Sequence, residues 1–251
     1  MRQRLWWQHA RAPLCAFAVL AIFLSFTWAD VAIARTFFFD TTRGKWIGAS
    51  NWWINVFLHT GGRWAIRALV LTSICLWIAA ASEPSLRSMR RPAAYFTVSV
   101  VLSVGIVGLL KVLTNVDCPW DLEVFGGKYP FVHLFADRPD PLRPGHCFPA
   151  AHASSGFALM ALHFVFRERS SMLAKSGLLL GVAAGLVFGL AQQSRGAHFL
   201  SHDVWSAIIT WLVALTTYTV AFKARLWNVS RPGNPSELNA LVSTTQSNLA
   251  R

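Results

Sequence analysis

The stretch SRGAHFLSHDVW at 194–205 gathers Arg195, His198, His202 and Asp203 immediately before an apolar run. Two further blocks carry reactive groups, Lys111 in KVLTNVDCP and His152 in PAAH, with Arg143 in the loop between them. Cations, imidazoles and an acid form a set suited to moving a phosphoryl group. That chemistry asks for charge neutralisation, in-line positioning, a nucleophile and a proton for the leaving oxygen. Two other chemistries fit less well. His198 and His202 have the spacing of a metal-binding pair with an acid beside them. They precede a helical run instead of lying within it, so no metal or other cofactor is expected. A serine nucleophile would need a strand-to-helix elbow, and the sequence offers none.

The elements that must position these groups are apolar. The chain of 251 residues is 54% hydrophobic and 14% charged, against about 25% charged in a soluble domain. Apolar segments lie at about 13–34, 64–82, 93–113, 153–166, 175–191 and 204–222. Most approach the ~20 residues that cross a bilayer core of ~30 Å as a helix. They are continuous runs, unlike the polar–apolar alternation of a membrane barrel strand. The expected fold is therefore all-α, a bundle of six transmembrane helices forming a single domain over residues 1–251. No internal repeat stands out, and residues 232–251 are polar and read as a mobile cytoplasmic tail.

The net charge of +12 does not point to nucleic acid, because its distribution follows the membrane. With the chain starting inside, stretches 1–12, 83–92, 167–176 and 223–251 hold 13 of the 23 Lys and Arg residues, against Glu83, Glu168 and Glu237. This positive-inside bias puts both termini in the cytoplasm. The outside stretches, about 35–63, 114–152 and 192–203, carry nearly balanced charge, with Asp40, Asp117, Asp121, Glu123, Asp137 and Asp140 among the bases. The first of them is rich in Trp and Phe. It is expected to lie on the outer surface and to wall the path of an amphiphilic substrate. The first apolar segment reads as an anchor, being longer than a signal core and lacking a clean small-residue cleavage site. Lys111, His152 and the 198–203 block all fall at one outer level. Ionisable groups at a membrane are costly and mark function, so the site is expected at the outer face of the membrane.

These blocks resemble the type 2 phosphatidic acid phosphatase (PAP2) family, membrane relatives of bacterial acid phosphatases and vanadium haloperoxidases. The family motifs are Lys-x6-Arg-Pro, Pro-Ser-Gly-His and Ser-Arg-x5-His-x3-Asp. KVLTNVDCP, PAAH and SRGAHFLSHD stand in that order here, and the likeness covers roughly 90–220. It looks closest to a bacterial subgroup of membrane-bound lipid phosphatases with CPWDL and GAHFLSH blocks. Cys118 stands where the first motif has arginine, and Ala150–Ala151 replace Ser-Gly in the second. With His198 as the third motif's histidine, His202 falls in the aspartate's place, Asp203 comes one residue late, and Gln192 occupies the arginine position. Arg195 is then the nearest substitute. Another register keeps Ser194–Arg195 and makes His202 the nucleophile, one residue out of step, but GAHFLS favours His198.

The resemblance implies a metal-independent lipid phosphate phosphohydrolase acting on a lipid phosphate or polyprenyl diphosphate in the bilayer. His198 would attack phosphorus and form a phosphohistidine, with Asp203 or His202 fixing its tautomer. His152 would protonate the leaving lipid oxygen. Lys111 and Arg195 would neutralise the phosphate, with Arg143 compensating for the arginine missing at 118. The rival reading is a non-catalytic membrane scaffold that keeps the bundle with degenerate motifs. A transporter fits less well, because the polar residues gather at one face. Cys15 and Cys75 fall in apolar segments and read as small packing residues. Cys118 and Cys147 share the outside loop, where an oxidising periplasm favours a disulfide tying the Lys111 segment to the His152 segment.

Overall fold

In an apolar medium the backbone must satisfy its own polar groups, so long runs of Leu, Val, Ala and Ile become helices. The computed structural model describes residues 2–137, 139, 144–223 and 225–226; Arg143 and the tail at 232–251 lie outside them. The helices are α1 (Arg2–Phe26), α2 (Ala29–Phe37), α3 (Trp53–Ser82), α4 (Arg90–Leu113), α5 (Ala151–Phe166), α6 (Ser171–Ser194) and α7 (Leu200–Ala221). Between α2 and α3, β1 (Phe39–Asp40) and β2 (Lys45–Trp46) pair antiparallel, Phe39 opposite Trp46.

Among the described residues, α3, the Pro84–Leu113 stretch that contains α4, α6 and α7 are each long and apolar enough to cross a membrane. The chain is a mostly helical, multi-pass membrane protein. The six expected segments depart from this in three places. The first is broken, with Cys15–Phe26 and Ala29–Phe37 meeting at 85°. Thr27 sits at the break, donating its hydroxyl to the Phe23 carbonyl and accepting from the Ala29 amide, a local bonding that competes with helix continuation. The fourth, α5, is a shorter apolar helix carrying a tight turn at Ala158–Met160. The second begins early: α3 opens at Trp53 as a wide π-helical stretch to Gly61 and runs on without interruption to Ser82. Residues 53–63 thus extend the helix beyond the apolar segment visible in the sequence.

The short α5 lies inside the bundle against α4, α6 and α7. Gly177, Gly181, Gly185 and Gly189 recur every four residues along α6, and this bare stripe lets the neighbouring helices come close. A Cβ at Gly181 would strike the Met160 backbone, and one at Gly185 the Phe157 ring. Tyr95, Phe157, Phe164, Trp211, Leu215 and Tyr218 fill the core, with the Tyr95 hydroxyl donating to the Ala214 carbonyl. The outward faces are apolar too: Phe23, Leu71, Ile78, Leu109, Leu179 and Leu186 are all exposed. That much bare apolar surface suits lipid contact. Cys15 and Cys75 belong to this outward face and are exposed, a correction to their expected packing role, because both sit on the side of the helix turned from the core.

Candidate active site

Helices α3 to α7 alternate in direction, so the starts of α3, α5 and α7 and the ends of α4 and α6 meet at one end of the bundle. There a pocket of 1170 Å³ is lined by Lys111, His152, Arg195 and His198, together with Cys118 and Cys147. Sequence reasoning did not foresee His59, Arg63, Arg67, Trp120 or His146 on the same wall. The i, i+4, i+8 spacing of His59, Arg63 and Arg67 within an apolar context was the available signal. No Asp or Glu lines this pocket among the described residues.

The segment bearing His198 is clamped. Gly196 has φ of 74° and lies so close to the Trp46 ring that a Cβ would strike it. The Gly48 amide donates to the Ser194 carbonyl (2.8 Å), and the Trp120 amide to the Gly196 carbonyl (2.9 Å). His198 is buried, with Nδ1 2.7 Å from the Cys147 carbonyl oxygen. A carbonyl only accepts, so Nδ1 carries the proton and Nε2 keeps its lone pair. Burial, then the neighbouring His202 ring and the Lys111 charge, hold this imidazole well below its usual range. It is therefore neutral and nucleophilic at physiological pH.

His202 and Asp203 do not line the basic pocket. His202 Nδ1 lies 3.4 Å behind His198 Nδ1. Asp203 turns toward α6, packs against Gly189, and accepts a hydrogen bond from Gln193 Nε2 at 2.6 Å. The Cys147 carbonyl makes the shorter bond to the nitrogen that sets the His198 tautomer, and His202, one of the two partners the sequence offered, is a second and longer one at the same atom; Asp203, the other, bonds Gln193 instead.

His152 stands in the first turn of α5, stacked on Phe188 (centroids 4.5 Å apart) and 4.9 Å from the His59 ring. Its Nε2 is buried and has no hydrogen-bond partner among the described residues. Lys111 occupies the last turn of α4. Arg195 donates from Nη1 to Gln192 Oε1 (3.2 Å), and the buried Gln192 Nε2 is left without a partner. Cys118 and Cys147 are joined by a disulfide with Cα atoms 5.1 Å apart, and the Cys147 amide donates to the Val116 carbonyl (2.9 Å). Arg143 lies outside the described residues.

A second cavity of 240 Å³ lies beyond His202, lined by Ser25, Asp30, Asp117, His133, Asp137 and Ser201 among others, with no Lys or Arg among the described residues. Asp30 Oδ1 accepts from the Ser201 amide at 3.0 Å, capping the start of α7.

Residues 92–226 match the family model of the PAP2 superfamily, more than half of the 251-residue chain; the chain belongs to that family. Comparison with curated proteins and with solved structures gives no match. Helix α3, with His59, Arg63 and Arg67, precedes the matched region.

Proposed function

We propose that this chain is a membrane phosphatase that hydrolyses a lipid phosphate or polyprenyl diphosphate at the periplasmic face of a bacterial inner membrane, with both termini cytoplasmic. Membership of a family of phosphatases and related hydrolases supports the reaction class. The observation that carries the reading is one pocket with two characters. Its inner end presents Lys111, Arg195, His152 and His198 with no acid. Its side is an apolar slot between α3 and α4, lined by Ile66, Val70, Leu71, Val101, Val104 and Gly105. Leu71 and Val101, at the slot's edge, are exposed on the lipid-facing surface. An anion with a long apolar tail fits both parts.

In this reading His198 Nε2 attacks phosphorus while Lys111, Arg195 and the free Gln192 amide hold its oxygens. The phosphorus–oxygen bond to the lipid breaks, and the leaving oxygen takes a proton from His152 Nε2, which acquires it from solvent as the phosphate anion binds beside the ring and favours its charged form. Water then hydrolyses the phosphohistidine, releasing inorganic phosphate and restoring His198. The Cys147 carbonyl keeps the imidazole in the productive tautomer throughout.

The test uses the purified chain in detergent with a long-chain lipid phosphate, a polyprenyl diphosphate and a soluble aryl phosphate. Phosphate release from one of the lipids is expected. A Cβ at Gly105 meets only open space, so Gly105→Trp should fold, fill the slot and lower kcat/KM for long-chain substrates by about tenfold or more. The soluble substrate should be spared. No release from either lipid would favour the scaffold reading, and equal losses on all substrates would remove the slot's role.

A further inference from the structure

A guanidinium part-way along a membrane-length helix is costly unless it faces a polar cavity. Helix α3 carries two, Arg63 and Arg67, and both face the basic pocket together with His59. Their situations differ. Arg67 lies over the Trp64 ring, 4.9 Å from its centroid, where the ring face holds a cation. Arg63 makes no ion pair or hydrogen bond among the described residues. Its charge reaches both His59 and His152, as does that of Arg195. The same pocket is lined by Cys118, the residue at the first motif's arginine position, whose sulfur is committed to Cys147 and cannot bind an anion. The pocket therefore has an unpaired guanidinium from one helix where the motif segment has lost one.

We propose that Arg63 is a phosphate-binding residue of this chain. Supplied by α3, ahead of the family-matched region, it takes over the duty of the missing motif arginine and closes a clamp with Lys111 and Arg195 around the substrate's phosphate oxygens. A guanidinium suits this task because its planar fork can donate two parallel hydrogen bonds to one phosphate. The inference rests on the phosphatase reading only for what the phosphate is attached to.

Binding of radiolabelled orthophosphate to the full chain in detergent is the primary measurement, for wild type, Arg63→Ala and Arg63→Lys, with kcat/KM on a lipid phosphate alongside. Arg63→Ala should weaken phosphate binding about tenfold and lower kcat/KM by about 100-fold. Arg63→Lys should recover part of both, keeping the charge without the fork. Thermal unfolding midpoints should match wild type, since Arg63 makes no hydrogen bond or ion pair among the described residues, so a misfolded variant would be recognised. Equal phosphate affinity in wild type and Arg63→Ala overturns the proposal, as does a wild type that binds no phosphate. A wild type that hydrolyses lipid phosphate while Arg63→Ala matches its kcat/KM overturns it too and leaves the phosphatase reading standing. Arg63-dependent phosphate binding without hydrolysis would support the clamp and sink the phosphatase.

Discussion

Two cavities meet at the His198–His202 pair, and their charges are opposite. The larger is lined by Arg63, Arg67, Lys111 and Arg195 without an acid; the smaller by Asp30, Asp117 and Asp137 without a Lys or Arg among the described residues. One stretch of backbone serves both, with Asn115, Val116 and Asp117 on the acidic side and Cys118 on the basic side. The same division recurs at Ala197 and His198 against Phe199, Ser201 and His202. Charge that looked balanced along the outside loops is therefore sorted in space. An anion entering the basic pocket meets cations only, and low-dielectric walls strengthen that field.

The largest break in this comparison is expected from His198→Ala, which leaves both fields in place and removes the proposed nucleophile. Its kcat should fall by about 10,000-fold or more, and no phosphoenzyme should be trapped by acid quenching. Turnover at the wild-type rate would hand the role to His202, across the wall.

A smaller effect is expected from opening the wall itself. Replacing Cys118 and Cys147 together by serine frees a crosslink spanning 29 residues. Stability should drop by about 3–4 kcal/mol on the chain-entropy account. The Cys147 carbonyl would also hold His198 less firmly, lowering kcat by about 10–100-fold. Denaturant melts and rates with and without reductant read both effects, and a rate unmoved by complete reduction would detach the brace from catalysis.

Smallest of all should be Asp30, on the far side. Asp30→Ala removes the cap on α7 and should cost about 1 kcal/mol. Asp30→Asn keeps a capping oxygen and should leave both stability and kcat/KM near wild type. A loss of activity in Asp30→Asn rivalling that of His198→Ala would make the acidic cavity part of the reaction and end the contrast.

The helical class and the convergence of Lys111, His152, Arg195 and His198 were legible, because apolar run lengths fix which helix ends share a membrane level. The hold on His198 was not. A carbonyl is present at every residue, so nothing in the letters marks Cys147 as the one that meets Nδ1. Asp203 and His202 were both candidate partners for the imidazole; His202 lies 3.4 Å from it, whereas the helical start at Leu200 turns Asp203 toward Gln193. Arg63 was hidden for a different reason: it lies just outside the apolar run at 64–82, and only the early start of α3 at Trp53 places it within a helix. The four-residue glycine spacing on α6 is visible in the letters, but what it admits, the buried α5 with His152 at its head, depends on tertiary contact.

The slot beside Gly105 has a consequence for what happens after turnover. A reaction carried out where a water-facing chamber joins a lipid-facing cleft delivers its products into different phases. On the proposed reading, orthophosphate would escape into the aqueous phase, while the dephosphorylated tail would stay in the membrane and be diluted among its neighbours. Recombination would then require a meeting across the interface, so the partition would oppose the reverse reaction.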